Sequence, residues 1–215
     1  MRADRYHPAY RIARYLSRWF LASFSGFEVR GAENIPEGKA FILASNHSSF
    51  IDPPALGSAL PRPVYFFARK TLLVGPFKWL LPRINTIPVD RDGESDVVAL
   101  KKVFRVLAAG EGVVFFPEGT RSPDGKLQGA KKGLGMIACR AGAVIVPARI
   151  FGAFETLGRQ DRFPRHGFRV TVVFGRPFYA SEIDPGVGGS DRYQIVSDRI
   201  LEAVGRIERP TPLVV

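Results

Sequence analysis

Two short segments of the chain carry side chains whose types and spacing suit proton transfer and anion binding. The first, residues 46–52 (Asn-His-Ser-Ser-Phe-Ile-Asp), places an imidazole and a carboxylate five residues apart after an apolar run. The second, residues 116–122 (Phe-Pro-Glu-Gly-Thr-Arg-Ser), places Glu, Thr and Arg in a glycine-containing turn after another apolar run. Together the two segments indicate a proton-transfer site beside an anion site.

The histidine of the first segment has a favourable position for chemistry. His47 follows the apolar run 41–45, so we expect it at the C-terminal end of a strand, where open α/β sheets place their ligand sites. Asp52 is then close enough for its carboxylate to hold one imidazole nitrogen, while the other nitrogen accepts a proton from an alcohol. Taken alone, the segment also fits a structural histidine with Asp52 as a helix cap. The second segment favours the catalytic interpretation.

The second segment leaves its strand through a proline and a glycine, which suits backbone N–H groups turned toward a ligand. Arg121 supplies a planar guanidinium that matches phosphate, and Thr120 supplies a small hydroxyl donor beside Gly119. Glu118 cannot bind phosphate itself, so we expect it to orient Arg121 or to bond substrate hydroxyls. A solvated turn with an exposed ion pair is the alternative, but it does not explain the apolar strand 113–116 before the turn.

In order and separation the two segments resemble the glycerolipid acyltransferase family, most closely its 1-acylglycerol-3-phosphate (lysophosphatidate) acyltransferase branch. The resemblance covers about residues 31–177, and members of the family transfer a fatty acyl group from a thioester to a lipid hydroxyl. It adds Arg91 and Lys131 to the acceptor site, although both also fit ordinary solvated charges. The block before Arg91 lacks a glycine that is common in the family. This difference bears on the shape of the loop there, and therefore on which acceptor the site binds.

The resemblance implies acyl transfer from acyl-CoA or acyl-carrier protein to the free hydroxyl of 1-acylglycerol 3-phosphate (lysophosphatidic acid), giving phosphatidate. The predicted catalytic residues are His47 and Asp52. The residues predicted to bind the phosphate and glycerol of the acceptor are Arg91, Glu118, Gly119, Thr120, Arg121 and Lys131. The alternatives are the same chemistry on another lysolipid or glycolipid hydroxyl, and a non-catalytic protein that binds anionic membranes or nucleic acid.

No cofactor and no metal are expected beyond the acyl donor as co-substrate. The chain has three scattered histidines and one cysteine, and these do not have the spacing of zinc ligands. The single cysteine, Cys139, lies among small apolar residues and is predicted to be a buried small hydrophobe. We therefore expect direct attack of the acceptor hydroxyl on the thioester, without a covalent acyl-enzyme.

The charge of the chain predicts an anionic partner. The net charge is +11, from 31 Lys and Arg against 20 Asp and Glu, and such an excess attracts nucleic acid or an anionic membrane surface. The sequence contains no nucleic-acid-binding module, so no nucleic acid is expected as a partner. No segment approaches the ~20 uninterrupted apolar residues that span a bilayer. We expect peripheral or monotopic attachment at the cytoplasmic face of a membrane.

Residues 9–24 predict the attachment element, a basic amphipathic helix. Its cationic face carries Arg11, Arg14 and Arg18, which suit anionic head groups. The side chains expected to enter the acyl boundary are Trp19, Phe20, Leu21 and Phe24. The alternative is a surface helix that covers the core. A second apolar segment, 71–82, is interrupted by two prolines and a lysine, and either enters lipid, lines an acyl-chain groove or packs on the core.

The expected fold is a single α/β domain with a central, mostly parallel or mixed sheet flanked by helices and preceded by the N-terminal amphipathic helix. With 215 residues, 46% of them hydrophobic, the chain can bury one core. Continuous apolar runs, typical of strands covered on both faces, lie at 40–45, 64–68, 84–89, 113–116, 144–150 and 169–174. Further helices are predicted at 96–109, 132–140 and 191–206. The expected units are the membrane-interface segment 1–30, the acyltransferase domain 31–208 and the tail 209–215.

Overall fold

The computed structural model of the chain describes residues 7–69, 71, 74–89, 97–186 and 191–211. In this part of the chain, one mixed sheet has helices on both faces, which confirms the predicted fold class. The strands are β1 (Glu28–Arg30), β2 (Phe41–Ser45), β3 (Val64–Arg69), β4 (Thr86–Val89), β5 (Gly112–Phe115), β6 (Val144–Phe151), β7 (Thr171–Phe174) and β8 (Phe178–Tyr179). The helices are α1 (Pro8–Ser25), α2 (Asp52–Ala59), α3 (Pro76–Leu80), α4 (Val97–Ala108), α5 (Lys132–Ala141), α6 (Ala153–Leu157), α7 (Ala180–Ile183) and α8 (Arg192–Gly205), with 3-10 helices at Ala32–Asn34 and Leu81–Ile84.

The strand order explains how distant segments come together. The order is β1-β7-β6-β2-β5-β3-β4, and β8 pairs with β6 beside β7. Strands β6, β2, β5, β3 and β4 run parallel, whereas β7 and β8 are antiparallel to β6 and β1 follows the direction of β7. Because β2 and β5 are parallel neighbours, their carboxyl ends meet at the same edge of the sheet. The segments after these two strands are those predicted to carry the chemistry.

The central strand β2 is buried on both faces, as its continuous apolar sequence predicts. Phe41 and Leu43 point into a core formed with α1 and α2, while Ile42 and Ala44 point into a second core formed with α4, α5 and α8. The sheet therefore separates two apolar layers. Both layers hold β2 in place, so that its carboxyl end is a rigid base for the loop that follows.

Helix α1 packs on α2 and on the 3-10 helix Leu81–Ile84. Its inner side carries Leu21, which is 1% exposed, and Tyr10, whose hydroxyl accepts a hydrogen bond from the Val64 N–H at 3.2 Å. The prediction that Leu21 enters lipid is therefore wrong, because this side chain belongs to the core. The outer side of α1 is apolar and exposed, with Trp19 at 69%. The other exposed apolar side chains of the helix are Ile12, Tyr15, Leu16 and Phe20.

Some elements differ from their predicted bounds. The strand expected at 84–89 begins only at Thr86, because Ile84 ends a 3-10 helix and Asn85 has a positive φ of 57°. Helix α2 is absent from the predicted helices because two prolines, Pro53 and Pro54, follow its first residue. The helix forms because proline is tolerated in the first helical turn, where its missing N–H is not needed. Strands β1 and β8 are short and partly exposed, so they lack the apolar runs that mark the other strands.

Several predicted features fall where the structure is not described. Residue 96, at the start of the helix predicted at 96–109, and residues 212–215 of the tail lie outside the described residues, as do residues 187–190 before the last helix. Within the apolar segment 71–82, Val74 and Trp79 are exposed rather than packed on the core.

Among the helices in the described part of the chain, none is long and apolar enough to cross a membrane.

Candidate active site

The two chemically promising segments are joined directly through their backbones. The register places Ala44 of β2 beside Phe115 of β5, so the loops that follow start as neighbours. The Ser122 N–H donates to the His47 carbonyl oxygen at 2.7 Å. In the other direction, the His47 N–H donates to Glu118 Oε1 at 2.9 Å. These two bonds hold the predicted base and the predicted anion-binding turn in one fixed arrangement.

His47 and Asp52 form the predicted pair. Nδ1 of His47 lies 2.9 Å from Oδ2 of Asp52, the first residue of α2. The same oxygen accepts the backbone N–H groups of Ser48 and Ser49, each at 2.7 Å, and the Asp52 side chain is fully buried. A carboxylate can only accept, so Nδ1 carries the proton of the neutral ring and Nε2 is left as the nitrogen able to take one.

Two further side chains fix this arrangement, and the sequence reasoning missed both. The ring of Phe116 stacks on the imidazole of His47, with centroids 3.9 Å apart and planes 16° apart. The Asn46 side chain exchanges two hydrogen bonds with the backbone of Ile150 in β6, at 3.0 and 2.8 Å. The imidazole is therefore held edge-on by Asp52 and face-on by Phe116. Asn46 and Phe116 belong to the two segments singled out from the sequence, but their roles depend on tertiary contacts that spacing does not reveal.

Glu118 lies beneath the turn and is only 2% exposed. Its Oε1 accepts the His47 N–H, and its Oε2 accepts the Gln128 N–H at 3.1 Å. Burial raises the pKa of the Glu118 carboxyl to about 7, although the two backbone donors lower it. The sequence predicted a contact with Arg121 or with substrate hydroxyls for Glu118. The structure instead places its carboxylate as a brace between the two loops.

The other predicted residues of the second segment surround the turn itself. Gly119 adopts a positive φ of 70°, which favours glycine, and the methylene stem of Lys131 packs against it. The Lys131 N–H donates to the Pro117 carbonyl oxygen at 2.8 Å, which fixes the start of α5 beside the turn. The guanidinium carbon of Arg121 lies 3.4 Å from the ring centroid of Phe50, a contact that spacing alone did not suggest. Arg91 lies outside the described residues.

A pocket of about 630 Å³ opens beside His47 and is polar at one end and apolar at the other. The polar end is lined by His47, Gly119, Thr120, Arg121, Lys131 and Arg159. The apolar end lies between β3, β5, α4 and α5 and is lined by Phe67, Ala99, Leu100, Val103, Phe115, Leu134 and Ile137. Such a pocket suits a ligand that combines an anionic head with an aliphatic chain.

The single cysteine is not part of this pocket. Cys139 is half-buried on α5, and its Sγ lies 3.7 Å from Oδ2 of Asp184. Burial raises the pKa of the Cys139 thiol, and the nearby Asp184 carboxylate raises it further. A thiol in this state is a poor nucleophile. The His47–Asp52 pair is therefore the candidate for proton transfer in this pocket.

Comparisons with known proteins identify the family of the chain. The family model described as "Acyltransferase" matches residues 26–151. A 1-acyl-sn-glycerol-3-phosphate acyltransferase of Bacillus subtilis is 33% identical over 178 residues, which cover 80% of this chain and 84% of that protein. The chain therefore belongs to the acyltransferase family, in the branch formed by the 1-acyl-sn-glycerol-3-phosphate acyltransferases.

Two other relatives extend the comparison. The chloroplastic 1-acyl-sn-glycerol-3-phosphate acyltransferase BAT2 of Brassica napus is 32% identical over 187 residues, 84% of this chain and 54% of that protein. The chain thus spans about half the length of this plant relative. The crystal structure of the 1-acyl-sn-glycerophosphate acyltransferase PlsC from Thermotoga maritima superimposes with a TM-score of 0.70 at 25% identity. The match covers 91% of this chain and 76% of that one.

Proposed function

We propose that the chain is an enzyme that transfers a fatty acyl group from acyl-CoA or acyl-carrier protein to the free hydroxyl of 1-acylglycerol 3-phosphate, giving phosphatidate. The observation that carries this proposal is the His47–Asp52 pair, 2.9 Å apart, at a pocket that is cationic at one end and apolar at the other. The relatives are named as 1-acyl-sn-glycerol-3-phosphate acyltransferases, which supports the same acceptor class.

In the proposed reaction, Nε2 of His47 takes the proton of the acceptor hydroxyl as its oxygen attacks the thioester carbonyl. The new C–O bond gives a tetrahedral oxyanion, and its collapse breaks the C–S bond. The departing thiolate then takes the proton from the imidazolium, which returns His47 to its neutral state. Asp52 keeps the ring in the tautomer with Nδ1 protonated and stabilises the positive charge that forms on it. Base catalysis of this kind contributes on the order of 10² to 10⁴ in rate.

The pocket suggests where each part of the substrates lies. Arg121 and Lys131 suit the acceptor phosphate, and Thr120 beside Gly119 suits the glycerol. Arg91 remains a predicted member of this group. The apolar end between α4 and α5 suits an acyl chain, because burial of each CH₂ group there contributes about 0.8 kcal/mol. An acceptor placed in this way has its hydroxyl beside His47.

The proposed site of action is the cytoplasmic face of an anionic membrane, with peripheral or monotopic attachment. The exposed apolar side of α1 supports this proposal, since a helix whose apolar side faced only the core would not leave Trp19 69% exposed. Arg11 and Arg18 are exposed and suit anionic head groups, although Nη1 of Arg18 also donates to the Ser58 carbonyl oxygen at 3.3 Å. Trp79 of α3, 59% exposed, adds a second apolar contact close to the 3-10 helix on which α1 packs.

The decisive experiment is an assay of the purified protein against several acceptors with acyl-CoA and with acyl-carrier protein. Thiol release and the lipid product are both measured. The acceptors are 1-acylglycerol 3-phosphate, monoacylglycerol, a zwitterionic lysophospholipid, a lyso-amino-lipid and a glycolipid. Phosphatidate as the preferred product supports the proposal. Preference for an uncharged acceptor favours the glycolipid alternative, and no thiol release with any acceptor favours a non-catalytic binding protein.

A further inference from the structure

The polar end of the pocket carries a cation that neither sequence segment supplies. Arg159 follows helix α6 and lines the same pocket as His47, Arg121 and Lys131. It lies beyond residues 26–151, the part of the chain that the family model matches. Its side chain is exposed at the pocket, so solvent and ligands reach it.

The segment around Arg159 is tied to the loop that carries the base. Oγ of Ser49 donates to the Leu157 carbonyl oxygen at 2.5 Å, and Ser49 also forms an isolated antiparallel bridge with Gly158. The Gly158 N–H donates to Oδ2 of Asp161 at 2.8 Å, which closes the turn around Arg159. Ser49 stands two residues after His47. The backbone of residues 157–159 is therefore fixed relative to the imidazole.

The guanidinium of Arg159 is directed toward residue 121. Its Nη1 donates to the carbonyl oxygen of Arg121 at 3.1 Å. Arg121 in turn lies over the ring of Phe50, and Lys131 packs on Gly119 beside it. The nearest acid on the Arg159 turn, Asp161, forms an ion pair with Arg165 instead. Three cations thus meet at one end of the pocket, an arrangement that suits a dianionic phosphate.

We propose that Arg159 acts together with Arg121 and Lys131 as a third cation for a phosphate monoester, and that this group is the phosphate of the acceptor. A guanidinium has five N–H donors, so the bond to the Arg121 carbonyl leaves a planar fork for phosphate oxygens. This inference rests on the proposed function and makes Arg159 a determinant of acceptor specificity. Acyl-CoA also carries phosphates, and the experiment separates the two sources.

The test compares Arg159→Ala, Arg159→Lys and the control Arg162→Ala by steady-state kinetics. Arg162 is an exposed arginine of the same segment, with its guanidinium 5.6 Å from the ring of Phe163. We expect Arg159→Ala to raise KM for 1-acylglycerol 3-phosphate about fivefold to twentyfold, as for loss of an accessible charge-assisted hydrogen bond. We expect a smaller rise for Arg159→Lys, which keeps the charge, and no change for Arg162→Ala. KM for acyl-CoA and for acyl-carrier protein should stay the same.

A double variant adds an internal check. If Arg121 and Arg159 hold the same phosphate, their effects are not independent. The fold increase in acceptor KM of the double variant should then be smaller than the product of the increases of Arg121→Ala and Arg159→Ala. Equal acceptor KM values for Arg159→Ala and Arg162→Ala overturn the inference. A rise in KM confined to acyl-CoA also overturns it, since the phosphate then belongs to the donor. A wild-type enzyme without preference for phosphate-bearing acceptors would instead contradict the proposed function, whatever the variants do.

Discussion

At the scale of single residues, one carboxylate oxygen holds the proposed base in place. Oδ2 of Asp52 accepts from His47 and from the backbone N–H groups of Ser48 and Ser49. Asp52 also begins helix α2, where the positive end of the helix dipole favours its charge. Asp52 is the first residue of the helix rather than its cap, because Ile51 holds the N-cap position and no side-chain cap bond forms there. Its carboxylate stabilises the loop and orients the imidazole at the same time.

The first prediction concerns this pair. We expect His47→Ala to lower kcat by on the order of 10² to 10⁴, because no other group replaces the base. Asp52→Asn should also lower kcat, since an amide can orient the ring but does not neutralise the imidazolium. Acyl transfer is measured alongside thermal unfolding. The control is His166→Ala, an exposed histidine whose ring contacts Phe24 at a tilt of 32° and does not line the pocket. Wild-type activity in a folded His47→Ala variant would rule out His47 as the base.

The second prediction follows from the pKa of Glu118, which burial raises to about 7. Below that pH the carboxyl is protonated and no longer accepts both backbone N–H groups as an anion. Because the site depends on this brace, kcat/KM of the wild type should fall as the pH drops through about 7. Glu118→Gln cannot take up this proton, so the acid limb of log(kcat/KM) should be shallower and the rate should be lower at every pH. Equal slopes would show that Glu118 does not titrate in this range.

The same pKa has a consequence for stability. An ordinary glutamate releases its proton near pH 4.5, whereas Glu118 in the folded protein retains it up to about pH 7. Between these values the folded state binds more protons than the unfolded state, so the unfolding free energy falls as pH rises. Glu118→Gln removes this contribution. Denaturant unfolding of both proteins across that window measures the difference, and parallel pH dependences would contradict it.

At the scale of the elements, α1 carries the prediction for membrane binding. Leu16→Ser with Trp19→Ser should weaken sedimentation with anionic vesicles, because both side chains are exposed and apolar. Arg11→Glu with Arg18→Glu should weaken it as well, by about 1 kcal/mol or more per residue, and added salt should weaken the wild type. The charge-matched control is Arg105→Glu with Arg140→Glu, two exposed residues on α4 and α5, across the sheet from α1. An equal loss of vesicle sedimentation in the control would show that the net charge of the protein, rather than α1, determines membrane binding.

The elements also show what the sequence can predict. Strands buried on both faces, such as β2 and β6, have continuous apolar runs and lie within a residue or two of their predicted bounds. Short edge elements such as β1 carry no such signal. At the site, the spacing of His47 and Asp52 indicated their contact because it is local. The brace from Glu118 to His47 and the contact of Arg159 with Arg121 depend on tertiary structure across 71 and 38 residues, which local patterns do not encode.

At the scale of the whole molecule, the apolar end of the pocket is built by β3, β5, α4 and α5 together. Leu100 of α4 is half-buried there, so Leu100→Trp should fill space without a new cavity in the core. We expect about tenfold lower kcat/KM for long acyl donors and a much smaller loss for short ones, because only long chains need that space. The measurement is a series of acyl-CoA chain lengths. A uniform loss across the series would place the acyl chain elsewhere.

The brace between the two loops has a consequence for how related sequences are interpreted. His47 depends for its position on Glu118, 71 residues further along the chain, and the two are joined through a backbone N–H rather than through the imidazole. A chain could therefore keep both His and Asp at this spacing and still hold the ring in the wrong place if the glutamate were replaced. Under the proposed mechanism, competence for catalysis is thus a joint property of the two segments. A chimera that imports one segment from a distant relative should gain function only when the other is imported with it.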